Sequence, residues 1–190
     1  MAINDAALDV IFRAARTHRT WLEKPVPPPV LMAIYNLMRW GPTSANTCPA
    51  RLVFVVSPEA KERLRPHLEA GNVTKTMTAP ATAIIGYDLE FARTMATLNP
   101  RAGAFDDPAA NAVTAFRNGS LQGAYFIIAA RALGLDCGPM SGFDNAGIDR
   151  TFFAGTAVRS NFLCNIGYGD PSRLHPRAPR LSFDEACEIV

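Results

Sequence analysis

The chain has 190 residues, of which 48% are hydrophobic and 19% are charged, and its formal net charge at pH 7 is +2. This length suits one domain or one subunit of an oligomer, and the apolar share is enough for a sizeable core. The small net charge, carried by scattered basic residues, argues against a nucleic-acid or membrane-surface partner.

Hydrophobic spacing and turn residues predict helices and two buried strands in the first half of the chain. Pro29 suits the first position of a helix, and Gly41 suits the C′ position of the same helix. The predicted elements are a helix over 5–16 capped by Asn4 or Asp5, a helix over 29–40, a strand over 52–56, a helix over 57–71, a helical turn over 72–75 and a strand over 81–87.

The second half opens with an ambiguous segment over 88–107, helical in character at 89–95 and loop-like at 99–107. Asp107 and Pro108 then start the longest predicted helix, which ends near Gly134. Its run over 121–133 is apolar on most sides, so we expect it to be buried in the core or between subunits. The remaining elements are an extended segment over 136–144, a short helix to 153, a strand over 161–168 and a tail over 169–190 rich in proline and arginine.

This order of elements does not alternate regularly enough for a doubly wound fold. No GxGxxG motif follows the first strand and no Walker motif occurs, so a Rossmann site has no support. The α+β class is the better prediction.

Cysteine and histidine usage bears on compartment and metal binding. No cysteine forms a CxxC pair and the three histidines lie far apart, so we expect reduced thiols, a cytoplasmic protein and no metal site. Asp5 and Asp9 stand where a signal peptide would carry basic residues. The apolar runs fall far short of the ~20 residues that span a bilayer. The cysteines are Cys48, Cys137, Cys164 and Cys187.

Four polar clusters lie at predicted element boundaries. Two guanidiniums beside a hydroxyl suit a phosphate, because arginine offers paired donors in a fixed geometry. Taken alone, each cluster is a weak indication: the first and third fit a solvated helix end and exposed polar residues better, and the second and fourth could be ordinary turns and caps. The first cluster is Arg16, Thr17, His18 and Arg19; the second is Pro42, Thr43, Ser44 and Asn46; the third is Asn72 and Lys75; the fourth is Pro139, Met140, Ser141 and Gly142.

Together and in this order, the clusters resemble the FMN-dependent nitroreductase family over about residues 8–190. The sequence is most similar to short members assigned as malonic semialdehyde reductases of pyrimidine degradation, through TAFRNGSLQGAY, ALGLDCGPMSGFD and NIGYGD. The resemblance implies a single α+β domain over 1–190 with a mixed, mainly antiparallel sheet flanked by helices. It also implies an intertwined homodimer with FMN at the subunit interface.

The resemblance gives each cluster a role. The first matches a phosphate motif, which the C-terminal pair Arg177 and Arg180 completes. The second matches a loop that reaches the flavin of the other subunit. The third contacts the isoalloxazine and ribityl side, and the fourth lies along the flavin with a backbone N–H at Ser141 directed at N5.

The chain departs from the family pattern at three places. Thr17 stands for the usual Ser of the phosphate motif. Thr47-Cys48-Pro49-Ala50 replaces the usual Gln-Pro-Trp after the loop Asn, which alters the adjacent pocket wall. Ser141 stands where many members have Glu, so the backbone contact is retained and any role of the Glu side chain is not.

The implied activity is NAD(P)H oxidoreduction by ping-pong hydride transfer through flavin N5, with NADH or NADPH as co-substrate. No nucleophilic triad is readable, so no catalytic side chain is assigned beyond support from Lys75 and the Ser141 N–H. Malonic semialdehyde, reduced to 3-hydroxypropionate, is the expected acceptor, and Arg117 and Asn118 are the candidate clamp for its carboxylate. Two alternatives stay open: a general quinone or nitro reductase, and a flavin-binding carrier without turnover.

Overall fold

A four-stranded sheet lies at the centre of the fold in the computed structural model, which describes residues 2–190. Its neighbouring strands pair antiparallel in the order β1-β2-β4-β3. A parallel bridge joins Thr17 to Cys137 at the β3 edge. The three predicted strands and the extended segment are confirmed with shifted ends. The strands are β1 (Ala50–Val55), β2 (Ala81–Asp88), β3 (Asp136–Met140) and β4 (Val158–Gly167).

Helices flank the sheet, and their predicted positions are largely confirmed. The helix expected over 5–16 is a single α-helical turn continued by a π-helical turn, Asp9–Arg13, with Asn4 as its cap. Across residues 2–190, no helix is both long enough and apolar enough to cross a membrane. The α-helices are α1 (Asp5–Leu8), α2 (Pro28–Met38), α3 (Pro58–Leu64), α4 (Ala70–Met77), α5 (Met95–Leu98), α6 (Pro108–Ala132), α7 (Asn145–Phe152) and α8 (Phe183–Ala186).

The ends of α6 are set by local chemistry, as predicted. The Asp107 side chain accepts from the backbone N–H of Ala109 and caps the first turn. At the other end Gly134 adopts φ +77°, which lets the Leu135 N–H bond the Ala130 carbonyl at 3.0 Å. This left-handed glycine cap is a Schellman motif.

The role predicted for Gly41 is wrong. Helix α2 ends at Met38, and its cap Arg39 keeps a right-handed φ of −60°. A Cβ on Gly41 would lie 2.6 Å from Cγ of Tyr125 on α6. Gly41 is therefore required by close packing against α6 rather than by the helix terminus.

Helix α6 divides its surface between core and solvent. Phe126 and Ala130 are fully buried against the sheet. Gly119 brings the helix close to β2, since a Cβ there would lie 2.8 Å from Cβ of Tyr87. The opposite face is open, with Phe116 52% and Leu121 47% exposed. Within 121–133 the face that carries Phe126 and Ala130 is buried in the core as expected, and burial of the open face between subunits stays a prediction.

This packing predicts that Gly119→Ala destabilises the fold. Cβ of Tyr87 is attached directly to β2 and cannot swing away, so overpacking should lower the free energy of unfolding by about 1–3 kcal/mol. Gly71→Ala on α4 is the matched control, because a Cβ there meets nothing within 4 Å. Urea titrations should show Gly71→Ala equal to or slightly above the original protein. Equal stability of the two variants would contradict the packing argument.

Candidate functional site

The first polar cluster lies along the exposed edge of the sheet at β3. The His18 N–H donates to the Cys137 carbonyl at 3.0 Å, next to the Thr17–Cys137 bridge. The backbones can approach because Gly138 has no side chain: a Cβ there would lie 2.6 Å from the His18 carbonyl oxygen. This pairing anchors Arg16 and Arg19 beside the sheet.

A basic cavity of about 600 Å³ opens over this segment. None of the residues lining it, all within the described part of the chain, carries a carboxylate. Its arginines form no ion pair within 4.0 Å with any acid of residues 2–190. Such a concentration of unpaired guanidiniums suits a phosphate. The arginines are Arg16, Arg19, Arg131, Arg173, Arg177 and Arg180.

Backbone contacts of the same arginines fasten the C-terminal tail across the cavity. Arg177 donates to the carbonyls of Arg13 and Ala15 at 2.8 and 2.9 Å, and Arg16 donates to the carbonyl of His175. The structure thus brings the sequence-predicted C-terminal pair Arg177 and Arg180 to the same cavity as Arg16 and Arg19.

Helix α4 carries the third cluster next to the first. Burial lowers the pKa of the half-buried Lys75, and the positive charge of Arg19 lowers it further. The Lys75 carbonyl accepts from Trp21 Nε1 at 2.9 Å and from Asn165 Nδ2 at 3.2 Å. These two bonds fix the position of Lys75 relative to the sheet.

The fourth cluster meets the third through a backbone contact. Asn72 Nδ2 donates to the Gly142 carbonyl at 2.6 Å, so its amide nitrogen holds this segment. The Glu69 N–H reaches the same carbonyl at 3.2 Å. Ser141 is exposed beside it. Strand β3 and these hydrogen bonds therefore connect the first, third and fourth clusters within a single chain.

A buried lysine makes hydrogen bonds to the C-terminal end of α4. Lys61 donates to the carbonyls of Thr76, Met77 and Ala79. Burial lowers its pKa to about 8. An ammonium at a helix C-terminus satisfies carbonyls that lack helical partners. Lys61 thereby holds the turn that follows Lys75.

The second cluster lies elsewhere, in a loop with strained backbone. Ala45, Asn46 and Cys48 have φ of 49°, 58° and 42°, a left-handed conformation that side chains disfavour. Asn46 Nδ2 donates to the Leu98 carbonyl at 2.9 Å, and Asn99 Nδ2 donates to the Ala45 carbonyl at 3.0 Å. Within residues 2–190, no hydrogen bond joins this loop to the other three clusters.

The loop also lines a second cavity, of about 450 Å³. Pro42, Thr43 and Asn46 contribute to it, together with the exposed Trp40.

The two candidate clamp residues differ in position. Asn118 is 2% exposed, and its Oδ1 accepts from the Ser44 N–H at 2.7 Å while its Nδ2 donates to the Thr114 carbonyl at 2.8 Å. Both of its polar atoms are thus engaged within the fold, and it positions the second cluster. Arg117 is exposed on the open face of α6 beside Phe116 and Leu121.

His18 is buried beneath the basic cavity. Its Nδ1 has no hydrogen-bond partner, and its Nε2 lies 3.5 Å from Asp136 Oδ1. Burial is the main cause of its lowered pKa; Arg131 and Arg16 lower it further, and Asp136 and Asp170 oppose the shift. The ring is therefore buried with one nitrogen lacking any hydrogen-bond partner among residues 2–190.

Sequence reasoning missed several residues that build the site. Arg131 is a lone charge within the apolar run FIIAARALG, an anomaly that could have identified it. Arg173 was within the arginine-rich tail but outside the matched pair. No sequence pattern distinguishes Trp21, Lys61 or Asn165, because their roles arise from contacts 15 to 90 residues away.

Comparison with known proteins shows the family and the fold. A family model described as the nitroreductase family matches residues 12–168. A Stenotrophomonas maltophilia protein, named provisionally as an NADH dehydrogenase/NAD(P)H nitroreductase, is 59% identical over 100% of this chain and 98% of its own length.

Solved structures share the fold at lower identity. A Bacillus subtilis protein named provisionally as a nitroreductase superposes with a TM-score of 0.87 at 20% identity, covering 98% of this chain and all of the other. An Exiguobacterium sibiricum protein named provisionally as a nitroreductase, in complex with FMN, has a TM-score of 0.84 at 16% identity, and the alignment covers 100% of this chain and 99% of the other.

The buried ring of His18 predicts an acid-sensitive fold. Because its pKa is lowered from 6.5, the unfolded chain takes up its proton first, and the free energy of unfolding should fall as pH drops below 6.5. For one proton the slope is at most about 1.4 kcal/mol per pH unit. His18→Gln should flatten this part of the curve in urea titrations between pH 7.5 and 5. Parallel curves for the two proteins would exclude His18 as the source.

Proposed function

This chain belongs to the nitroreductase family, and on that premise we propose that it is an FMN-dependent NAD(P)H oxidoreductase. The observation that carries the proposal is the basic cavity, to which strand β3 and hydrogen bonds from Trp21 and Asn72 connect the third and fourth clusters within one chain. A flavin mononucleotide has a phosphate at one end and a flat polar ring at the other, and these clusters offer groups suited to both.

The residues fit FMN in charge. Six arginines without a carboxylate among them suit the phosphate dianion. Gly142 packs closely against α4, since a Cβ there would lie 2.5 Å from Glu69 Oε2 and 2.6 Å from Asn72 Nδ2, and this packing fixes the fourth cluster beside the third. When bound, FMN supplies hydride transfer between a nicotinamide and an acceptor.

The chain contributes orientation and electrostatics. Lys75 would place a positive charge against the flavin ring, where negative charge is stabilised most strongly in a site that excludes water. The Ser141 backbone N–H would donate to the ring, a contact that does not depend on the side chain. The bonds from Trp21 and Asn165 hold the backbone of Lys75, from which its side chain would extend to the ring.

We propose a homodimer in which the second cluster completes the flavin site of the partner subunit. Two observations support it: the second cluster has no hydrogen bond to the other three within the described residues, and the apolar faces around it are open. Trp40 is 77% exposed, and Phe116 is 52% exposed. Exposed apolar faces of this kind mark protein interfaces.

For the acceptor we propose malonic semialdehyde, on the strength of the sequence runs over 114–125, 132–144 and 165–170. Its carboxylate needs a cationic partner, and Arg117 has no acid within 4.0 Å among residues 2–190. Because Arg117 lies on the open face of α6, it would reach the acceptor across the dimer interface.

A visible absorption spectrum tests the activity. The purified protein should be yellow, sediment at twice 20.6 kDa, bleach anaerobically with NADH or NADPH and recover its colour with malonic semialdehyde. If only quinones or nitro compounds restore the colour, malonic semialdehyde is not the acceptor and the protein is a general quinone or nitro reductase. A yellow protein that neither nicotinamide bleaches would be a flavin carrier, and a protein that cannot be loaded with FMN would refute the proposal.

Arg117→Ala tests the clamp. Loss of one charged contact should raise the KM for malonic semialdehyde by about tenfold and leave the KM for a neutral quinone unchanged. Arg93→Ala is the control, because Arg93 is exposed and paired with Glu90. Steady-state kinetics with both acceptors decides the matter: a similar rise in both KM values removes Arg117 from carboxylate recognition.

A further inference from the structure

Arg131, in the last turn of α6, carries a charge that the fold does not neutralise. It is 9% exposed, and no carboxylate of residues 2–190 lies within 4.0 Å of its guanidinium. An ion buried without a partner is strongly unfavourable. The remaining question is which group offsets that cost.

Contacts within the chain offset it only in part. Arg131 Nη2 donates to the Arg16 carbonyl at 2.7 Å, which uses one of five N–H donors. A positive charge near a helix C-terminus is also favourable by a modest amount. A lysine would satisfy both needs, so neither explains a guanidinium at this position.

The position of Arg131 in the basic cavity indicates that its partner is an anion bound there. It lines the basic cavity with five other arginines. Four of them, Arg19, Arg173, Arg177 and Arg180, are exposed, so solvent and salt screen their attraction for an anion. Arg131 is the buried member of the set, where a charge-assisted hydrogen bond is strongest.

We propose that Arg131 is the buried anchor of the FMN phosphate, donating two N–H groups to its oxygens while its third contact holds the Arg16 carbonyl. The inference rests on the proposed function, because it assumes that FMN occupies the cavity. A phosphate presents several oxygens to a planar fork, which explains arginine where lysine would serve the fold equally well.

Riboflavin separates this role from a structural one, because it has the ring and ribityl chain of FMN without the phosphate. The full-length protein freed of flavin is titrated with each ligand, and quenching of flavin fluorescence gives the two dissociation constants. Arg131→Met should raise the dissociation constant of FMN by about tenfold or more and leave the dissociation constant of riboflavin unchanged. Arg65→Met is the control, because Arg65 is exposed and paired with Glu62, and both constants should stay unchanged.

Arg131→Lys keeps the charge at the helix end and one donor for Arg16 but lacks the fork. It should lower the preference for FMN, measured as the ratio of the riboflavin to the FMN dissociation constant, severalfold. If the Met variant does not fold, the Lys variant tests the inference in its place. If both variants keep the preference of the original protein, the inference is overturned and the proposed function stands. If the original protein itself does not prefer FMN to riboflavin, the phosphate site is absent and the proposed function fails with it.

Discussion

The attachment of residues 16–18 to the edge of β3 is the constraint on which the site depends. β3 is an outer strand of the sheet, with backbone groups that would otherwise face solvent. The His18–Cys137 hydrogen bond covers that edge, and the glycine at 138 permits the approach. Gly169 matters in the same way, because a Cβ there would collide with the His18 ring. Without these contacts the arginines of the first cluster would belong to a flexible segment.

Charge and folding are coupled at this edge. The arginines that line the basic cavity also tie its walls together: Arg177 binds the N-terminal segment, Arg16 binds the tail, and Arg131 binds the Arg16 backbone. Their mutual repulsion opposes this arrangement until an anion arrives. Binding of a phosphate would reduce this repulsion and therefore stabilise the folded position of the tail. Any ligand that binds only the folded state has such a stabilising effect.

In the second cluster, hydrogen bonds from the surrounding structure hold a strained backbone in place. Three left-handed residues within four positions are unfavourable, and the loop keeps this shape because Asn118, Leu98 and Asn99 bond to it. Asn118 in turn is fixed on α6, whose packing on the sheet depends on Gly119 and Gly123. A rigid loop loses little freedom when it meets a ligand or a partner subunit.

The sequence by itself determined the fold class, most helices and strands, and the residues of the four clusters, because hydrophobic period, caps and turn residues act over a few neighbours. The cap at Asp107 and the left-handed Gly134 are such local features. The reason for Gly41 lies in Tyr125, 84 residues away, which no local pattern reveals. The tertiary structure alone showed the contacts that connect three of the clusters within one chain. It alone placed Arg131 in the basic cavity and Lys61 beneath α4, since burial and long-range hydrogen bonds leave no periodic trace in sequence.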